Sequence, residues 1–150
     1  MPRLPLTALA LAACLAAALP ARAADAIDGV LTPYFRIQAQ LADDKADALK
    51  ADAGQLATAA GALGAPGQPI AAAAQELSAA ASLGAARESF GKLSDALIAY
   101  ADQSHAALGA TTATAYCPMV KKSWLQQGDA IKNPYFGKGM LGCGTIKKKG

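Results

Sequence analysis

Between Ala24 and Ala115 almost one residue in three is alanine, 30 of 92, yet larger apolar side chains recur throughout at spacings of three and four. That pattern points to amphipathic helices with narrow apolar seams, because residues so spaced share one helix face. Ile27, Val30, Leu31, Tyr34, Ile37 or Gln38, and Leu41 mark a first helix. Either Thr32 caps its strong part, with Pro33 at the first helical position, or a longer helix bends at Pro33 and Gly29 eases the clash. A second helix is predicted to start near Asp43 or Asp44, with a seam of Ala46, Leu49, Ala53, Leu56, Ala60 and Leu63. Gly64 to Pro69 breaks it. Ile70, Ala74, Leu77 and Ala81 mark a third helix, and Ser82 to Gly84 the next turn. The fourth carries Ala86, Phe90, Leu93, Leu97 and Tyr100 inward and Arg87, Lys92, Asp95 and Asp102 outward. It is expected to end near Leu108–Gly109, where glycine suits a left-handed cap.

Four helices with short links favour antiparallel neighbours, so the predicted fold is all-α, an up-and-down four-helix bundle. Alanine lets helices approach closely but buries little apolar area, at ~25 cal/mol per Å2. The bundle alone should therefore be marginal. Residues 116–150 change character: they hold one alanine, six glycines, and Cys117 and Cys143. We read residues 24–115 as the bundle and 116–150 as an irregular Cys/Gly/aromatic segment of the same domain, packed on it.

Residues 1–23 read as a secretory signal peptide. Arg3 supplies the charge, Leu4 to Leu19 an uncharged apolar run, and Ala21-Arg22-Ala23 a cleavage site between Ala23 and Ala24. Leu11-Ala12-Ala13-Cys14 also fits a lipobox, which would make the chain a lipoprotein anchored through Cys14. No later stretch approaches the ~20 apolar residues of a membrane span. Export to the periplasm puts the remaining cysteines in an oxidising compartment, where a Cys117–Cys143 disulfide is one expectation.

The chemistry-bearing residues cluster after residue 115. Cys117-Pro118-Met119 places two sulfurs about a stiff proline, and Met140 and Cys143 form a second pair. Thiolates and thioethers are soft donors suited to Cu(I) or Ag(I). Cys117, Met119, Met140 and Cys143 are therefore candidate metal ligands, and His105 could add a nitrogen. Two alternatives stay open: the cysteines as a staple and the methionines as core filler. Trp124, Tyr135 and Phe136 read as anchors onto the bundle, and Asn133-Pro134 as a turn signal.

Cys117-Pro118-Met119, Trp124-Leu125, Asn133-Pro134-Tyr135-Phe136-Gly137 and Met140-Leu141-Gly142-Cys143-Gly144 resemble the bacterial periplasmic domain of unknown function 3347, with a weaker echo in Arg87, Phe90, Leu93 and Ser94. That domain occurs alone and as an extension of Cus-type copper and silver efflux adaptors. The resemblance implies a periplasmic setting, a link to heavy-metal resistance and an efflux adaptor as partner. The stretch from Met119 to Trp124 departs from the family in being shorter.

Other functions lack their residues. One histidine excludes a blue-copper centre. There is no C-x-x-C redox motif, no haem motif, no nucleophile elbow and no Walker spacing. Asp43 and Asp44 suit a helix start better than paired acid–base work. No enzyme is expected. Residues 24–115 hold five basic and ten acidic side chains, whereas 116–150 hold seven lysines and Asp129. The whole chain is only +3, too little to argue for nucleic acid. The lysine-rich end reads as a solvated tail.

Overall fold

A computed structural model describes residues 19–149. The signal segment to Ala18 and the Cys14 lipobox lie outside the described residues, and the Ala23–Ala24 cleavage pair falls in the backbone of the first helix. Four helices follow in order: α1 (Leu19–Ala42), α2 (Leu49–Gly61), α3 (Gln68–Ser78) and α4 (Leu83–Ser104). Three strands complete the chain: β1 (Thr112–Cys117), β2 (Lys122–Gln127) and β3 (Thr145–Lys149). They form an antiparallel sheet in the order β2-β1-β3.

The four expected helices are present, but the all-α assignment is overturned. The protein is a mixed helix-and-sheet fold. The break in composition at residue 115 falls inside β1. Thr112-Ala113-Thr114-Ala115-Tyr116-Cys117 alternates with the period of two that a strand requires. Its alanines, poor strand formers, disguise that period as a continuation of the helical run.

Consecutive helices pack against one another. Where a closed bundle would join α1 to α4, β2 lies against both. Ile27, Val30, Tyr34, Ile37 and Leu41 of α1 meet Leu49, Ala53, Leu56 and Ala60 of α2 in the core, with Ile70, Ala74 and Leu77 of α3 and Phe90, Leu93 and Leu97 of α4. The expected seams are therefore real, apart from Ala46 and Ala81 at their ends, which are exposed.

α1 runs unbroken through a buried Pro33. Gly29, the residue whose carbonyl loses its partner there, has Ala59 of α2 3.8 Å from where its Cβ would stand. α2 begins at Leu49 rather than near Asp43 or Asp44, because Asp44 serves a tertiary contact instead. It sits at φ 58, pairs with Arg87, and accepts from the Lys138 N–H at 3.0 Å. Arg87, expected to point outward, reaches across the fold. Its Nε donates to the Pro134 carbonyl at 2.9 Å and its Nη2 to that of Leu41 at 3.0 Å. α4 is capped by Ser82, whose Oγ accepts from the Ala85 N–H at 3.2 Å. It ends four residues before Leu108, with His105 rather than Gly109 in the left-handed cap position.

The sheet is bonded to the helices through aromatic rings. Tyr34 stacks on Phe90 at 5.1 Å, Phe90 meets Tyr135 at 6.0 Å, and Tyr135 meets the edge of Trp124 at 5.8 Å. The Tyr34 hydroxyl shares a hydrogen bond with Ser94 Oγ at 2.7 Å and accepts the Leu125 N–H of β2 at 3.0 Å. Of the anticipated anchors, Tyr135 thus meets α4 directly through Phe90 and Trp124 packs on Tyr135, while Leu125 ties β2 to α1.

Candidate functional site

Strand register brings Cys117 and Cys143 together. β3 pairs with β1 so that Tyr116 faces Thr145. One step further, Cys117 lies beside Gly144 and next to Cys143. Gly144 permits this approach: at φ 150, a Cβ there would stand 2.9 Å from the Trp124 ring and 3.1 Å from the Tyr116 carbonyl. Both cysteines are free thiols, Cys117 buried and Cys143 partly exposed.

Cys117 is fully buried at the end of β1, and the turn that follows closes over its sulfur. Pro118 fixes the backbone entering that turn. Lys121 takes a left-handed conformation, φ 54, before the chain re-enters the sheet at Lys122. Burial opposes the Cys117 anion. Donation from the Val120 N–H, the Asn133 side chain, the Met119 N–H and the Cys143 thiol outweighs that cost and holds the thiol below its ordinary value. Cys143 moves the other way. Its partial burial, the neighbouring Cys117 charge and the hydrogen bond it donates all push its thiol up.

Asn133 organises this arrangement. It is completely buried, and its Nδ2 donates to the Cys143 carbonyl at 2.6 Å. Its Oδ1 accepts the N–H of Tyr135 at 2.8 Å and that of Phe136 at 3.4 Å. Its own N–H donates to the Leu141 carbonyl at 2.8 Å. Sequence reasoning read this residue only as a turn signal. Beneath it, Trp124 Nε1 donates to Gln126 Oε1 at 3.1 Å, and Gln126 Nε2 donates to the Gly128 and Ala130 carbonyls.

Met119 and Met140 flank the thiols in sequence, and neither is core filler. Met119 is 64% exposed and Met140 40%; with Val120 they are the exposed large hydrophobic side chains among the described residues. His105 is exposed at the end of α4. β1 starts beside Leu108, whose carbonyl accepts from Thr112 Oγ1, and carries the chain roughly 17 Å to Cys117. The structure thus leaves His105 at the opposite end of the strand from the sulfurs. Among the described residues no three His, Cys, Asp or Glu side chains converge on one point. Thiols, the side chains brought side by side here, are donors for soft ions and not for hard oxygen-seeking ones.

A groove of about 690 Å3 lies elsewhere, between α1 and the α4–β1 connection. Its cation, Arg36, is already committed to Asp52 at 2.7 Å and Gln55 at 2.7 Å. Among the described residues, no helix is long and apolar enough to cross a membrane, as anticipated from the sequence.

No protein-family model, curated protein or solved structure matches this chain.

Proposed function

We propose that this protein is an exported, soft-metal-binding accessory that takes Cu(I) or Ag(I) at Cys117 and Cys143, buffering the ion or passing it to an efflux adaptor. The observation that carries the reading is the juxtaposition of two thiols, with 25 residues between them in sequence, beneath a turn whose amides favour the thiolate. The exposed thioethers of Met119 and Met140 support it, since a methionine held in water near thiols in sequence offers a first soft contact to an arriving ion. The likeness of Cys117-Pro118-Met119 and Met140-Leu141-Gly142-Cys143-Gly144 to the periplasmic domain of unknown function 3347 supports the copper assignment. His105 has no part in this reading.

Reduced protein should compete with a chromogenic Cu(I) chelator. Cys117→Ser with Cys143→Ser should weaken that competition by at least about a hundredfold, about 2.7 kcal/mol. Met119→Leu with Met140→Leu should slow metal capture more than it alters affinity. Unchanged affinity in the double cysteine variant overturns the proposal.

A second reading rests on the same adjacency of sulfurs: a disulfide-stapled interaction domain that binds no metal. In the chain-entropy picture such a bond across this loop stabilises by about 3.5 kcal/mol. A count of two free thiols in protein taken directly from the periplasm rules out the staple.

A further inference from the structure

We propose that the end of the sheet carrying the β1–β2 turn docks on an anionic lipid bilayer, setting Met119, Val120 and Met140 among the headgroups while Lys121, Lys138 and Lys147 meet lipid phosphates. This contact does not rest on metal binding. Among the described residues, Met119, Val120 and Met140 are the exposed large hydrophobic side chains, and all three lie on turns at one end of the sheet. Met119 and Val120 belong to the four-residue turn between β1 and β2, Pro118 to Lys121. Met140 reaches the same end by another route. Its carbonyl accepts the Cys143 N–H at 2.9 Å, and a Cβ on the following Gly144 would stand 3.1 Å from the Tyr116 carbonyl, at the foot of that turn. Apolar side chains gathered on turns, away from the core, gain from a cover that the fold itself does not supply.

The surrounding charge selects that cover. Residues 116–150 hold seven lysines against Asp129, whereas residues 24–115 hold five basic and ten acidic side chains, so the apolar tips stand on the cationic part of the chain. Ion pairs there engage Lys122 with Asp95, Lys148 with Asp102 and Lys149 with Asp129. The ion pairs of the described residues leave Lys121, Lys138 and Lys147, all exposed, without a carboxylate partner. Asp44 accepts the Lys138 N–H but pairs with Arg87. Lys147 holds its ammonium 5.2 Å above the ring of Tyr116, three residues before Met119. Ammonium groups beside exposed thioether and aliphatic side chains suit a bilayer interface, where the apolar tips enter the acyl boundary and the cations stay with the phosphates. A protein partner favours a different surface, because protein interfaces are rich in aromatic and arginine anchors and poor in lysine. Residues 116–150 contain no arginine, and the aromatic rings there are buried or half-buried.

The test uses the full chain in chelator-containing buffer, with vesicles of phosphatidylglycerol and phosphatidylcholine in equal parts or of phosphatidylcholine alone. Oxidation of each methionine by hydrogen peroxide is followed by mass mapping. Because the signal is read at Met119 and Met140, attachment through the apolar run from Leu4 to Leu19 does not imitate it. Phosphatidylglycerol vesicles should slow sulfoxide formation at both positions at least about fivefold, phosphatidylcholine vesicles should not, and ~0.5 M salt should restore the lipid-free rates. Lys121→Glu with Lys138→Glu, two exposed substitutions, should weaken vesicle binding at least about tenfold while leaving the helix signal and melting midpoint in place. No protection, protection that is equal on both kinds of vesicle, or protection that survives the double lysine variant overturns the proposal. Protection by polyglutamate with none by vesicles also overturns it and assigns the surface to an acidic protein. Cu(I) affinity, measured without lipid, is unaffected by either result.

Discussion

Asn133 holds the thiol pair in place at the scale of single residues. Its amide spans the Cys143 carbonyl, the Cys117 sulfur and two backbone N–H groups, all away from water. Asn133→Asp keeps the acceptor oxygen for Tyr135 but replaces the donor with a negative charge beside a sulfur that favours its anion. The Cys117 thiol should therefore titrate upward, visible as a shift in ultraviolet thiolate absorbance against pH, with a stability loss of about 1–3 kcal/mol for the unpaired Cys143 carbonyl. An unshifted Cys117 titration would mean that the turn amides alone set its acidity. The sulfurs themselves stand out in the sequence because few residue types do their chemistry. Asn133 does not, since its partners are defined by a loop that closes only in the folded chain.

At the scale of elements, the join between sheet and helices is the contact to test. Tyr34→Phe leaves the stacking on Phe90 in place but strips the Leu125 N–H of its acceptor and Ser94 of its partner. The loss should be about 1–3 kcal/mol in urea denaturation, with β2 amides losing hydrogen-exchange protection before those of α2 and α3. The Arg87–Asp44 pair makes a second, pH-sensitive join. Hydrogen bonds from Arg87 and the Lys138 N–H hold the Asp44 carboxyl below its ordinary value. A carboxyl lowered in the folded state stabilises above its unfolded value and loses that contribution as pH falls through its folded value. The urea midpoints of wild type and Asp44→Asn should thus differ near neutral pH and converge in acid; a constant gap would show that the charge plays no part. Seams of three and four were readable because helix faces repeat locally. The early start assigned to α2 was not correct, because Asp44 leaves a favourable helix N-terminus for a partner 43 residues away.

Across the whole molecule, an alanine-rich bundle is completed by a small sheet. β2 occupies the side that α1 and α4 would otherwise close, so the core rings of Tyr34 and Phe90 depend on Trp124 and Tyr135 for cover. Removing residues 112–150 should leave far-ultraviolet helix signal but abolish near-ultraviolet signal and cooperative melting, with strong binding of a hydrophobic dye. A truncated chain that melts cooperatively and binds no dye would show that the helices suffice.

By itself, the sequence determined four helices and most of their inward faces, and it marked the sulfur residues worth examining, because each depends on side-chain type and short spacing. It also anticipated that residues 116–150 must cover the bundle. Only the tertiary structure decided that this cover is a β-sheet, that strand register brings Cys143 beside Cys117, that the methionines face water, and that His105 stands apart. Those outcomes depend on strand register and on contacts between residues tens of positions apart, and no local pattern in the chain specifies either.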